Sequence, residues 1–284
     1  MTDNLLGLSS FVLSSPFADA DVQAYRHVAE LGYDAIEVCV EDPRLLTADG
    51  IRDSAVGAGL AVAICAVFGA DRDLSAADPA LRAAGVAYLE HCVDLAAAVG
   101  SANVGGPMYK TTGKAPAASS ADRAGELARA TDSIRRAADY AGERGVRLAI
   151  EPINRFETDL VNTVEQAVTL CNSVGRPNVG LCLDTFHMNI EEKDVAAAVR
   201  VAAGRVFHVQ VSENDRGAPG TGHVGWDAFF GALRDIDYRG MIVLEAFMDS
   251  GPIADLARVW RPVAPSMDAL ASDGLSYLRE ALRR

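Results

Sequence analysis

The 284-residue sequence has little positive charge and no long apolar run. It carries 26 Lys and Arg against 39 Asp and Glu, which gives a formal net charge of -13. Binding to duplex DNA needs clustered basic side chains, so a nucleic-acid partner is disfavoured. No apolar stretch approaches the ~18–20 residues that cross a bilayer, and the first 13 residues lack the basic region of a signal peptide. We therefore expect a cytoplasmic protein with no membrane partner.

Cysteine motifs and glycine-rich nucleotide motifs are also missing. The five cysteines are scattered and form no CxxC pair, which predicts free buried thiols in a reducing compartment. A thiolate zinc site is disfavoured for the same reason. Neither GxGxxG nor GxxxxGK[ST] occurs, so we expect no nucleotide cofactor.

What the sequence does contain is a repeated alternation of short apolar runs with amphipathic stretches. Helices are predicted between the runs, for example at Pro79–Val99 and Ala121–Arg144, and Asn162 with Glu165 predicts a capping box. The pattern predicts eight strands, near Leu5–Phe11, Asp34–Val40, Ala61–Phe68, Ala102–Met108, Arg147–Ile153, Val179–Asp184, Val206–Val211 and Met241–Phe247. Eight successive β–α units favour a single-domain α/β fold, a (β/α)8 TIM barrel spanning residues 1–284, over an open sheet.

Polar side chains interrupt the apolar pattern near the ends of four predicted strands, where a barrel of this kind gathers its catalytic groups. They are Glu151, Asp184, Gln210 and Glu245. Because side chains alternate along a strand, all four are predicted to point into the barrel. Buried carboxylates need a counterion, and the sequence offers few inward basic groups near them. We therefore predict a divalent cation at this site, and His208, one inward layer deeper, is the alternative ligand on strand seven.

Several motifs resemble the D-tagatose/D-psicose (allulose) 3-epimerase group of the xylose-isomerase-like barrel superfamily. The similar stretches are Glu151–Glu157, Leu183–Glu192, Glu213–Gly222, Trp260-Arg-Pro and Asp273–Arg279. The resemblance implies a metal held by Glu151, Asp184, a strand-seven residue and Glu245. It also implies that Glu157, His187 and Arg216 bind the oxygens on the first three carbons of a ketose. One departure is visible: the group has His-x-His on strand seven, whereas this chain has His208-Val-Gln210, so Gln210 occupies the ligand position.

The expected activity is therefore metal-dependent 3-epimerisation of a free ketohexose or ketopentose. Glu151 and Glu245 would remove and return the C3 proton through a cis-enediolate. Mn²⁺ is the expected metal, with Mg²⁺ or Co²⁺ as alternatives. The amphipathic C-terminal stretch Ser266–Leu282 and the resemblance suggest a homodimer or homotetramer.

Other activities fit the same residues. Gln210 favours an aldose–ketose or hydroxypyruvate-type isomerase, which moves the proton between C1 and C2. A lyase or eliminase acting on an oxidised sugar or inositol would begin with the same proton abstraction, and a non-catalytic sugar-binding barrel is a further alternative. A phosphodiesterase or abasic-site endonuclease is disfavoured, because its zinc cluster needs many His ligands and the chain has five His.

Overall fold

The computed structural model describes residues 4–113, 117 and 119–283 and forms a closed eight-stranded barrel. Every strand is parallel to its neighbours in sequence order, and the last strand pairs with the first. The strands are β1 (Leu6–Ser9), β2 (Ala35–Val40), β3 (Ala61–Ala66), β4 (Asn103–Gly106), β5 (Arg147–Ile150), β6 (Val179–Asp184), β7 (Val206–Val211) and β8 (Ile242–Leu244). Each lies within a predicted strand, so the predicted (β/α)8 fold is confirmed.

Helices surround the barrel and begin and end where local chemistry dictates. Asp78 caps the third helix, Pro79 occupies its first turn, and Gly100 ends it in the left-handed conformation that glycine adopts without strain. The described helices are a 3-10 turn (Ser10–Val12), α1 (Val22–Leu31), α2 (Ala48–Ala58), α3 (Pro79–Val99), α4 (Ser120–Glu143), α5 (Val164–Val174), α6 (Thr185–Glu191), α7 (Val195–Val201), α8 (Trp226–Asp235), α9 (Pro252–Ala257) and α10 (Met267–Ala281).

The predicted capping box at α5 is wrong by one residue. Thr163 caps the helix, and Gln166 returns the second hydrogen bond of the box. Asn162 instead donates from its side-chain amide to two carbonyls of the preceding loop. An Asn that satisfies loop carbonyls is not free to cap, and the pattern of residue types does not reveal that competition.

The apolar side chains form one large core cluster and a second, smaller one that includes Phe11, Phe247 and Ile253, and all five cysteines are buried and free, as predicted. Helix α10 buries Leu270, Leu275 and Leu278, and it contacts α1, α8 and β8 of the same chain. Its amphipathic pattern is thus explained by packing within the chain, and the homo-oligomer stays a prediction. Among the described helices, none is long and apolar enough to span a membrane.

Candidate metal and sugar site

Three carboxylates meet at the carboxyl ends of the strands. Glu151 follows β5 directly, Asp184 ends β6, and Glu245 follows β8. Their residues are only 4%, 0% and 4% exposed. Burial, reinforced by the charges of Glu245 and Asp184, raises the pKa of Glu151 well above its usual range. Burial likewise raises the pKa of Glu245, against the opposing effect of Arg216. A site that gathers these groups favours a cation.

Arg216 supplies positive charge inside this site. Its Nη1 lies 2.6 Å from Oδ2 of Asp184 and 3.0 Å from Oε2 of Glu245. The buried guanidinium also lies over the rings of Phe186 and Phe247. The prediction that few basic groups lie near the carboxylates is therefore wrong for this arginine. It was predicted only as a substrate-binding residue, because its position depends on a loop that the sequence pattern does not define.

The loop that carries Arg216 is held by Glu213, a residue that was not predicted to have a role in the site. Arg216 adopts a positive φ of 67°, and its backbone N–H donates to the carbonyl of Glu213. The Glu213 carboxylate accepts a 2.6 Å hydrogen bond from the Trp226 indole and others from backbone N–H groups. Burial acts to raise the pKa of Glu213, but these hydrogen bonds hold it below its usual range. Glu213 thus fixes the turn that directs Arg216 inward.

His187 is held as a neutral imidazole beside the carboxylates. Its Nδ1 accepts a hydrogen bond from the backbone N–H of Asn154, so Nε2 must carry the proton in the neutral ring. Burial lowers the pKa of His187. Nε2 lies 3.4 Å from Oε1 of Glu151 and 3.5 Å from Oδ2 of Asp184, and it can donate there. Nη2 of Arg216 lies 3.1 Å from this Nε2. Because both atoms carry hydrogen in this tautomer, the contact is not a hydrogen bond.

Asn154 links two of the predicted substrate-binding residues. Its side-chain nitrogen lies 2.9 Å from Nδ1 of His187 and donates a 2.7 Å hydrogen bond to Oε1 of Glu157. Asn154 is 2% exposed. Its position three residues after Glu151, within a motif already singled out, was the signal that could have identified it.

Strand β7 places Gln210 beside the carboxylates and His208 beneath them. The amide nitrogen of Gln210 donates to Oε1 of Glu245 at 3.0 Å and to Oε2 of Glu37 at 2.9 Å. Its oxygen accepts from the Cys182 thiol at 3.2 Å. His208 Nε2 lies 2.6 Å from Oε1 of Glu37. Glu37 was not predicted to belong to the site. A charged residue at an inward position of the apolar strand β2 could have indicated it.

The described residues include a group that could hold a divalent ion. A carboxylate oxygen of Glu151, one of Asp184 and a ring nitrogen of His187 lie within 4.8 Å of one another. Because Nδ1 of His187 accepts from Asn154 and Nε2 carries the proton, the two carboxylates are the ligands that this group offers. Oxygen-rich donor sets of this kind suit Mn²⁺ or Mg²⁺ better than thiophilic metals. The guanidinium between Asp184 and Glu245 shows that a cation already fits between these carboxylates. The residues present are therefore compatible with the expected metal.

One cavity at the barrel mouth brings together the residues predicted for catalysis and substrate binding. Its polar side is formed by Glu151, Glu157, His187, Arg216 and Glu245, and its apolar side includes Phe11, Val67, Phe68, Ile153, Phe247 and Ile253. Asp184 and Gln210 are fully buried and contact this polar side through Arg216 and Glu245. The arrangement can bind a small polar molecule and exchange a proton with it.

Fold and site together define a (β/α)8 barrel with a carboxylate-rich, metal-compatible site at its mouth. The chain belongs to the xylose isomerase-like TIM barrel family, which it matches over residues 25–281. It is 35% identical over 266 residues to an L-ribulose 3-epimerase of Methylomonas sp., covering 91% of this chain and 90% of that protein. It is 35% identical over 267 residues to a D-psicose 3-epimerase of Agrobacterium fabrum, with coverage of 90% and 91%.

Solved structures agree with these sequence relatives. The D-allulose 3-epimerase of Methylomonas sp. superposes with a TM-score of 0.91 at 33% identity, covering 99% of this chain and 98% of that one. The resemblance to the ketose 3-epimerase group, inferred from the motifs, is thereby confirmed.

Proposed function

We propose that this protein is a metal-dependent 3-epimerase acting on a free ketohexose or ketopentose. The observation that carries the proposal is the pair Glu151 and Glu245, which face the cavity at the barrel mouth from the ends of β5 and β8. Carboxylates on separate strands can reach a sugar carbon from two sides, as inversion at that carbon requires. The similarity to ketose 3-epimerases over about nine-tenths of the chain supports the same activity.

Four residues would hold the metal: Glu151, Asp184 and Glu245 by carboxylate oxygens, and Gln210 by its amide oxygen. Mn²⁺ is the proposed ion, with Mg²⁺ or Co²⁺ as alternatives. When bound, such an ion polarises a ketone and stabilises the negative charge of an enediolate. Because the Gln210 nitrogen faces Glu245 in the structure, its terminal amide would have to rotate to offer oxygen.

The protein residues would perform the proton transfer at C3. Glu157, His187 and Arg216 would bind the oxygens of the first three carbons, and Arg216 would exchange carboxylate contacts for substrate contacts. One of Glu151 and Glu245 removes the C3 proton, and the other returns a proton to the opposite face. The reaction needs one of the two glutamates ionised and the other protonated at the start, so their pKa values must differ.

Two matched variants test the proposal. Glu151→Gln and Glu245→Gln should each lower epimerisation by at least about 10²-fold, the usual contribution of a general base. Glu143→Gln, at a side chain 77% exposed, is the control and should keep full activity. Chromatography of ketose products measures the rate, and circular dichroism checks the fold. Full activity in both site variants would rule out the two-glutamate mechanism.

Deuterium labelling separates the proposed reaction from the alternatives. A ketose incubated with the protein and Mn²⁺ in D₂O should gain label at C3. Label at C1 or C2 would indicate the isomerase that Gln210 favours, and loss of water from an oxidised sugar would indicate an eliminase. A cytoplasmic location and a homodimer or homotetramer are further proposals, the latter testable by light scattering.

A further inference from the structure

A buried polar layer lies directly beneath the carboxylates, and two of its three residues, Glu37 and His208, have no part in the proposed reaction. It consists of Glu37 from β2 with His208 and Gln210 from β7, none more than 1% exposed. Glu37 Oε1 lies 2.6 Å from His208 Nε2, and Glu37 Oε2 accepts from Gln210 Nε2 at 2.9 Å. A carboxylate in so dry a place needs partners, and these two contacts use both of its oxygens.

The donors and acceptors around Gln210 fix the direction of its amide. The amide NH₂ of Gln210 faces Glu37 and Glu245 and donates to one carboxylate oxygen of each. The thiol of Cys182 can donate to the amide oxygen on the remaining side. The reverse orientation would place the amide oxygen against two carboxylates. Glu37, Glu245 and Cys182 therefore set together which atom of the Gln210 amide faces which neighbour.

This matters for a metal, because only the oxygen of a glutamine amide is a ligand for a hard cation. A glutamine that gives its oxygen to an ion still needs a buried acceptor for its N–H groups. Once Glu245 is engaged by the ion, Glu37 is the carboxylate that can still accept from the Gln210 nitrogen. Partners of this kind orient metal ligands in proteins and increase their basicity.

We propose that Glu37, held by His208, is a positioning residue of the metal site that acts through Gln210. When the Gln210 amide rotates to turn its oxygen from Cys182 to the ion, its nitrogen leaves Glu245 and stays with Glu37, which thereby holds the amide in the orientation of a ligand. The inference rests on the metal site of the proposed function, but it concerns metal affinity and needs no substrate to be tested.

A double-mutant cycle with Mn²⁺ alone tests this role. The dissociation constant for Mn²⁺ is measured by titration calorimetry on the wild type, Glu37→Leu, Gln210→Leu and the double variant. Glu37→Leu should weaken Mn²⁺ binding by about 10- to 100-fold, as losses of such partners usually do. The double variant should bind no more weakly than Gln210→Leu, because Glu37 acts only through that residue.

Two further variants distinguish positioning from a general disturbance of the core. Glu37→Gln keeps an acceptor oxygen for the Gln210 N–H and should recover most of the affinity. Cys182→Ala removes the partner on the oxygen side and should leave the Mn²⁺ affinity unchanged. If Glu37→Leu does not fold, Glu37→Asp shortens the carboxylate by one methylene and should weaken Mn²⁺ binding in the same direction.

The inference is overturned if Glu37→Leu binds Mn²⁺ with wild-type affinity. If the Leu variant does not fold, wild-type affinity in Glu37→Asp has the same meaning. Additive losses of affinity in the double variant would also overturn it. Asp184→Asn separates this failure from a failure of the proposed function. If Asp184→Asn loses Mn²⁺ while Glu37→Leu binds normally, only the role of Glu37 is refuted. If the wild type binds no Mn²⁺, the metal site and this inference are both refuted.

Discussion

Replacing Arg216 by Met removes the positive charge that the structure places between Asp184 and Glu245. Met preserves much of the length and apolar contact of the side chain while deleting the guanidinium. Both carboxylates then lose a partner at 2.6 Å and 3.0 Å in a site that water hardly reaches. The metal-free variant should therefore be less stable than the metal-free wild type.

The expected size of the loss follows from the burial of the pair. Removing one partner of a buried ion pair typically costs about 3–5 kcal/mol. The remaining carboxylates can take up protons, because burial already raises the pKa values of Glu151 and Glu245, so we expect the lower end, about 3 kcal/mol. At roughly 2 °C per kcal/mol in a chain of this size, the Tm of Arg216→Met should fall by roughly 6 °C.

Thermal unfolding in EDTA measures the Tm of the metal-free proteins, and the same measurement in saturating Mn²⁺ shows whether the ion compensates for the lost charge. Mn²⁺ replaces the missing positive charge, so the difference in Tm between variant and wild type should largely disappear when the ion is present. Arg261→Met is the matched control, since its pair with Asp215 is exposed and is worth less than about 1 kcal/mol. If metal-free Arg216→Met has the same Tm as the metal-free wild type, the guanidinium does not neutralise the carboxylates.

Two further outcomes follow from the same geometry. Gln210→His should raise the affinity for Co²⁺ relative to Mg²⁺, because imidazole is a softer ligand than an amide oxygen; calorimetry with each ion checks this, and an unchanged ratio would argue against position 210 as a ligand. Glu213→Gln should cost about 2 kcal/mol at pH 7, the usual value of a hydrogen bond to a charged group. Because the pKa of Glu213 is lowered from 4.5, its contribution is present above pH 4.5 and is lost as the pH falls further. Urea unfolding at pH 7, 5 and 3.5 should show the difference shrinking only in acid, and a constant difference would contradict this role.

The barrel and the placement of Glu151, Asp184 and Glu245 could be predicted because they depend on local patterns. Short apolar runs define strands, and alternation along each strand separates inward from outward side chains. The carboxyl ends of parallel strands then meet at one mouth whatever the details of packing. These positions can be predicted without knowing which residues touch across the barrel.

Contacts between distant residues could not be predicted in this way. Arg216 reaches Asp184 and Glu245 only because Glu213 fixes a left-handed turn, and that turn depends on four donors spread over the following loop and helix α8. Glu37 and His208 are separated by 171 residues in sequence but are hydrogen-bonded within the barrel. Their shared inward phase could have suggested that they meet, but not that they also hold Gln210.

The orientation of the Gln210 side-chain amide could not be predicted from the sequence. The chain has a glutamine where the resemblance implies a histidine, and strand phase directs it into the barrel. A histidine would offer a ring nitrogen there, whereas a glutamine offers either a donor or an acceptor. The choice is made by Glu37 on β2, Cys182 on β6 and Glu245 directly after β8. Metal binding at this position is therefore a property of the layer beneath the site as much as of the residue in it.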